Sequence, residues 1–175
     1  MGDGKFGFRP ASLGSDRPEP GSCTMLEEKY PMSMSAEEMK AIPRRVTVEA
    51  WNRGNLNVLA ELIATDFVRH TPLRPDGIRG VEGFRQHVAG TRAAFPDAEF
   101  TIDAEIAEGD TVVNRWTFRG THRGDFGGIA PTGKAVTMTG IAIVRLQSGQ
   151  IAEIWDEVDA LGLLRQLGVI PAASQ

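Results

Sequence analysis

Apolar residues recur every third or fourth position in the first half of this chain and every second position from residue 99 onward, so the pattern predicts helices followed by strands. In "SAEEMKAIPRRVTVEAWNRGN", Ser35 and Glu38 have capping-box spacing. Ile42, Val46, Ala50 and Trp51 form an inward stripe, Pro43 is expected to kink or restart the helix, and Gly54 ends it. "LNVLAELIA" predicts a second short helix with Leu56, Leu59, Leu62 and Ile63 inward. In "TDFVRHTPLRPDGIRG", Phe67 and Val68 mark a short strand, and the prolines and glycines after it a loop. "VEGFRQHVAGTRAAF" is a third helix, stopped by Pro96, on which His87 reads as solvated.

The strand half begins with "EFTIDAEIA", where Phe100, Ile102, Ala104 and Ile106 alternate with polar residues. In "TVVNRWTFRGTH", Val112, Asn114, Trp116 and Phe118 share a face. "TGIAIVRLQSGQIAEIWDEVD" predicts a hairpin around a three-residue "QSG" loop closed by Leu146 and Gln150. "ALGLLRQLG" closes the chain with a short helix. Residues 1–33, rich in Gly, Pro and Ser, read as a flexible tail, 34–170 as one domain and 171–175 as a C-terminal tail. The fold class is α+β, with helices packed on one face of a curved sheet.

One position in the hairpin departs from the pattern. Counting back from the loop sets Gly140 opposite Asp156 and Ala142 opposite Ile154. One face then holds Ala142, Val144, Leu146, Ala152, Ile154 and Val158 with a single carboxylate, Asp156, while Ile151, Glu153 and Trp155 lie on the other. A register slip would change Asp156's partners but keep it beside Ile154 and Val158. An isolated carboxylate on an apolar face is costly, and desolvation favours its protonated form, which suits such a group to exchange protons near neutral pH. The plainer account places Asp156 at a strand end, in water or capping a loop.

Composition narrows the function classes. A net charge of -4 with no Lys/Arg stripe argues against a nucleic-acid partner, and no apolar run approaches the roughly 20 residues of a membrane span. The N-terminus lacks the apolar core of a signal peptide, so the expectation is a cytoplasmic protein. Cys23 cannot form an internal disulfide, and the three histidines have no short metal-ligand spacing, so no metal is expected. "GDFGGIAPTGK" lacks the spacing of a phosphate loop.

Other candidates follow from shared faces. His122, after a strand facing the interior, could polarise a carbonyl or orient Asp156, or could simply hydrogen-bond backbone. His70, just before Pro72, is expected at a pocket rim. Asn114 could donate a hydrogen bond to an enolate oxygen, or be satisfied by backbone. Trp116, Phe118, Phe67 and Phe126 suit the walls of a pocket for a planar substrate, and core packing explains each equally well.

Four segments, "VEAWNRGNLNVLAELIATDFVRHTP", "FPDAEFTI", "GDTVVNRWTFRGTHRGDFGGIAPTGKAV" and "GQIAEIWDEVDALGLLRQLG", together resemble the SnoaL-like polyketide cyclase (ester cyclase) family of the nuclear-transport-factor-2-like superfamily. The resemblance covers roughly residues 43–169. It implies a cone in which a curved, mostly antiparallel sheet wraps N-terminal helices around a deep apolar pocket, and a homodimer joined through the outer sheet face. It also implies intramolecular aldol cyclisation of a hydrophobic, polyketide-like carbonyl substrate, without a cofactor, with the acid/base aspartate matched by Asp156. Gly140 and Ala142 would then leave room for ligand, alongside Ile154. The family's cyclases carry a histidine on the preceding strand near that aspartate, and here Ala142 stands in its place. Two alternatives stay open: a non-catalytic ligand-binding or dimerising module, and epoxide hydrolysis. The latter needs a second acid and an arginine in the pocket, and Arg115 faces away from Asn114.

Overall fold

The computed structural model describes residues 34–171, so Cys23 and the expected tail at 1–33 lie outside the described residues, as do 172–175. Helix α1 (Ala36–Arg45) starts with the predicted capping box: Ser35 Oγ accepts the Glu38 N–H at 3.3 Å and Glu38 Oε2 accepts the Ser35 N–H at 2.8 Å. Pro43 does not stop the chain's helical course. Helix α1 runs two residues past it and then widens into a π-helical segment, Val46–Asn52, that carries Val46, Ala50 and Trp51 into the interior. Gly54, with φ of 74°, ends the segment in the left-handed conformation open to glycine. A 3-10 turn (Leu56–Val58) and α2 (Leu59–Leu62) lead into β1 (Ile63–Thr71).

The stretch after β1 corrects an expectation. Instead of a loop, Arg74–Arg79 forms β2, an antiparallel edge strand on β1. Pro75 is tolerated because an edge strand has one row of N–H groups without a ladder partner. Helix α3 (Gly80–Ala94) follows, buries Phe84 and Val88, and packs on β1 and β2. The remaining strands are β3 (Glu99–Glu108), β4 (Thr111–Thr121), β5 (Ala135–Gln147) and β6 (Gln150–Val158), and α4 (Ala160–Leu167) closes the domain. The curved six-stranded sheet has the order β2-β1-β6-β5-β4-β3, antiparallel except where β1 runs parallel to β6.

Two bulges revise the strand assignments. Pairing in β3 shifts between Ile102 and Ala104, inserting one residue. Beyond it the faces exchange: Ile106, expected inward, is 69% exposed, and the Glu105 side chain turns inward to pair with Arg44. In β6 the pairs Arg145↔Glu153 and Leu146↔Ile151 leave Ala152 extra, and Ile151, expected on the outer face, is buried. The hairpin loop is two residues, Ser148 and Gly149, both at positive φ and closed by Gln147 and Gln150, rather than the predicted three. As a result Ala142, not Gly140, stands opposite Asp156, and Val144, not Ala142, opposite Ile154. The correction is a slide of two positions, which keeps every residue above the bulge on its predicted face.

Candidate active site

The concave sheet face, the π-helical segment and α3 enclose two connected lobes. The first, about 60 Å³, is walled by Val46, Trp51 and Phe84 from the helical side and by Asn114, Ala142, Ile154 and Asp156 from the sheet. The second, about 40 Å³, lies among Phe118, Phe126, Met138, His87 and Leu163. Trp51, Phe100, Trp116 and Arg69 line both and form the waist between them. The aromatic part of this waist is continuous, with ring centroids 4.7 Å apart for Trp51 and Phe100 and 5.6 Å for Phe100 and Trp116.

The strand registry sets the polar groups of the first lobe in a row. Asn114 pairs with Ala142 and Ala142 with Asp156, so the amide and the carboxylate lie two strand spacings, roughly 10 Å, apart across the smallest side chain that a strand presents short of glycine. Asn114 is 6% exposed and its Oδ1 has no hydrogen-bond partner, so it is not the backbone-satisfied asparagine of the plainer account. Among the described residues its Nδ2 makes no hydrogen bond either, so the amide keeps the expected donor free as well as an acceptor. In the next row Gly140 faces Trp116, and a Cβ there would fall within the indole. Gly140 therefore makes room for the tryptophan, not for a ligand.

Asp156 is 3% exposed but not isolated, which overturns the expectation of an unpaired carboxylate. Arg69 Nε donates to its Oδ2, and the guanidinium carbon lies 5.5 Å from the ring centroids of both Trp51 and Phe84. Arg69 was missed at the sequence level although a signal existed. Extending the strand that contains Phe67 by two residues puts Arg69 on the same inward face.

The same alternation sends His70 outward. It lies on the convex face, half exposed, stacked on Trp155 at 5.7 Å with Nε2 2.9 Å from Glu153 Oε1, and reaches neither lobe. His122 is fully buried but lines neither lobe: Nδ1 accepts the Thr132 N–H at 3.2 Å, and the ring packs against Phe95 and Phe126, one ring removed from the second lobe. Its Nε2 has no partner. Phe67 likewise stands one ring back, 5.1 Å from Phe84. Trp116, Phe118, Phe126, Ala142 and Ile154 line the lobes.

His87, expected in solvent, instead faces the second lobe edge-on to Trp51 at 5.5 Å. Burial, helped by the charges of Arg69 and Arg74, holds its pKa well below the usual 6.5. Among the described residues no three His, Cys, Asp or Glu side chains converge as metal ligands do, and no helix is long and apolar enough to cross a membrane.

The model of the SnoaL-like polyketide cyclase family matches residues 41–167. The chain is 31% identical over 134 residues to the aklanonic acid methyl ester cyclase AcmA of Streptomyces galilaeus, covering 76% of this chain and 92% of that protein. Among solved structures, TsrD of Streptomyces laurentii superposes with a TM-score of 0.71 at 30% identity, over 79% of this chain and all (100%) of that one. A protein of Catenulispora acidiphila with a ketosteroid isomerase-like fold superposes with a TM-score of 0.63 at 22% identity, over 77% and 96% of the two chains. The fold is thus the nuclear-transport-factor-2-like α+β cone.

Proposed function

The chain belongs to the SnoaL-like polyketide cyclase family, and from that membership we propose that it closes a ring in a polyketide-like ester by intramolecular aldol addition, with Asp156 as base and then acid. The observation that carries this reading is a buried carboxylate, the only one lining an aromatic-walled cavity among the described residues. Asp156 removes a proton from the carbon alpha to a carbonyl, and the C–H pair becomes the enolate. The enolate carbon attacks a second carbonyl in the same molecule, a C–C bond forms, and the displaced π pair on oxygen takes the proton back from Asp156. Reactant and product are isomers, so the step balances without a cofactor.

The other groups take supporting roles. Asn114 donates from its free Nδ2 to a substrate oxygen, and Trp51, Phe100 and Trp116 sandwich the planar rings. Lobes of about 60 and 40 Å³ fall well short of the 300–1,000 Å³ common for ligand sites, so the waist must part to admit a fused-ring substrate. A second copy of the chain would cover the convex face, where Ile141, Ile143 and Trp155 are exposed. Epoxide hydrolysis gains the arginine it requires in Arg69 but lacks the second acid among the lining residues.

The test is turnover of a methyl ester of the aklanonic or nogalonic acid type by wild type and Asp156→Asn. The substitution keeps shape and an acceptor for Arg69 and should lower turnover about 100-fold or more. Equal turnover by the two proteins removes Asp156 from the chemistry, and tight binding of the ester by wild type without product favours a binding module.

A further inference from the structure

Arg69 is secured at one edge and free at the other. Its Nε is spent on Asp156, its side chain is 12% exposed, and the Trp51 and Phe84 rings hold the guanidinium plane. Among the described residues no protein group bonds its two terminal nitrogens, which carry four of the five guanidinium N–H donors. The side chain lines both lobes and is the only cationic side chain that does so among the described residues.

We propose that Arg69 is a catalytic residue whose terminal N–H groups bind the substrate oxygens on which negative charge collects when Asp156 takes the carbon-bound proton, and that the substrate class is therefore a 1,3-dicarbonyl compound. This rests on the acid/base reading of Asp156. Charge conservation supports it. Before the transfer the negative charge is on Asp156, and afterwards Asp156 is a neutral acid and the charge is on the enolate. Arg69 touches both places, so one fixed cation balances the charge at every stage and none is left unpaired among largely apolar walls. The enolate of a 1,3-dicarbonyl spreads its charge over two coplanar oxygens, which match a planar fork of donors as a carboxylate does. A histidine beside the aspartate is then dispensable, consistent with Ala142 where the resemblance implied one.

A planar probe that ionises without reacting separates this proposal from turnover. Dibenzoylmethane is a planar 1,3-diketone whose near-ultraviolet band shifts to longer wavelength when it loses its proton to form the enolate. The titratable groups facing the lobes are Asp156, Arg69 and His87. The bound probe should ionise about 1–3 pH units lower on Asp156→Asn than on the double variant Arg69→Gln/Asp156→Asn, because only the former retains the cation. Asp156→Asn keeps an acceptor for Arg69 Nε and the double variant buries no charge, and near-ultraviolet circular dichroism matching wild type shows that both fold. A second comparison, Arg69→Lys in the Asp156→Asn background, should recover only part of the shift, since a point charge replaces the fork. Equal ionisation on the first two variants, or failure of the probe to bind while wild type turns over the ester, overturns the role of Arg69. A lowered probe midpoint in a protein whose Asp156→Asn variant keeps full turnover would instead sustain the oxyanion site and sink the base.

Discussion

Strands β1 and β6 carry two acid–base pairings on opposite faces of the same ladder. On the concave face Arg69 meets Asp156, with side chains 12% and 1% exposed. On the convex face, one residue along β1, His70 meets Glu153, which Arg145 also contacts, and these side chains are 48%, 24% and 36% exposed. The residue types are similar and their neighbours in sequence are shared. The difference lies in the surrounding medium. In the single chain the outer pairing is open to water, which screens each charge so that it contributes little; inside, the carboxylate has no alternative to its guanidinium, and removing either partner strands a charge. A charged pair in the cavity is therefore a poor means of stabilising the fold and a suitable one for moving a proton.

The largest expected effect follows from stranding the inner carboxylate. Arg69→Met should lower stability by about 3–5 kcal/mol in denaturant unfolding, and the double variant Arg69→Met/Asp156→Leu should recover much of that loss. A cost for Arg69→Met no larger than that of Glu153→Gln would erase the contrast between the faces. Next in size is Gly140→Ala. The added Cβ must displace the Trp116 indole, which should cost about 1–3 kcal/mol and weaken binding of a planar ligand. Ligand affinity unchanged in that variant would show that Trp116 is not part of the waist.

A pH-dependent effect comes third. His87 has its folded pKa well below the 6.5 of the exposed side chain, so below about 6.5 the unfolded chain binds the extra proton first. The stability that depends on neutral His87 is complete above that value and is lost as pH falls toward the folded pKa. His87→Gln should flatten the unfolding free energy over that window, and parallel curves for the two proteins would place His87 in solvent after all. The smallest effect is on the convex face. The hydrogen bond from His70, then that from Arg145, lowers the Glu153 pKa below the usual 4.5, so its contribution is present above that value and fades as pH drops through the folded pKa. Glu153→Gln should change stability by no more than about 1 kcal/mol, and by less as salt rises.

Much of the fold was legible from local regularities. The capping box at Ser35 and Glu38, the inward face of β4 and the alternation of β5 each depend on residues within a few positions of one another, and each appears as predicted. Asp156 fell on the concave face for the same reason: a register error of two positions leaves side-chain parity intact. The bulges were not legible, because one inserted residue changes no composition yet exchanges the faces beyond it, as at Glu105 and Ile106.

The chain's own periodicity thus determined the α+β class, the order of its elements apart from β2, and the presence of a carboxylate on an apolar wall. Tertiary structure alone decided what that carboxylate meets. Arg69 is 87 residues away in sequence and becomes its partner because β1 lies parallel to β6, a pairing of distant segments that no local pattern encodes. Likewise Trp51 and His87 reach the cavity through a widened helical turn and the docking of α3, and His70 and His122 are kept from it by a strand face and a wall of rings. Side-chain direction follows from backbone alternation, which is local; proximity between distant elements follows from how their apolar faces pack, which is not.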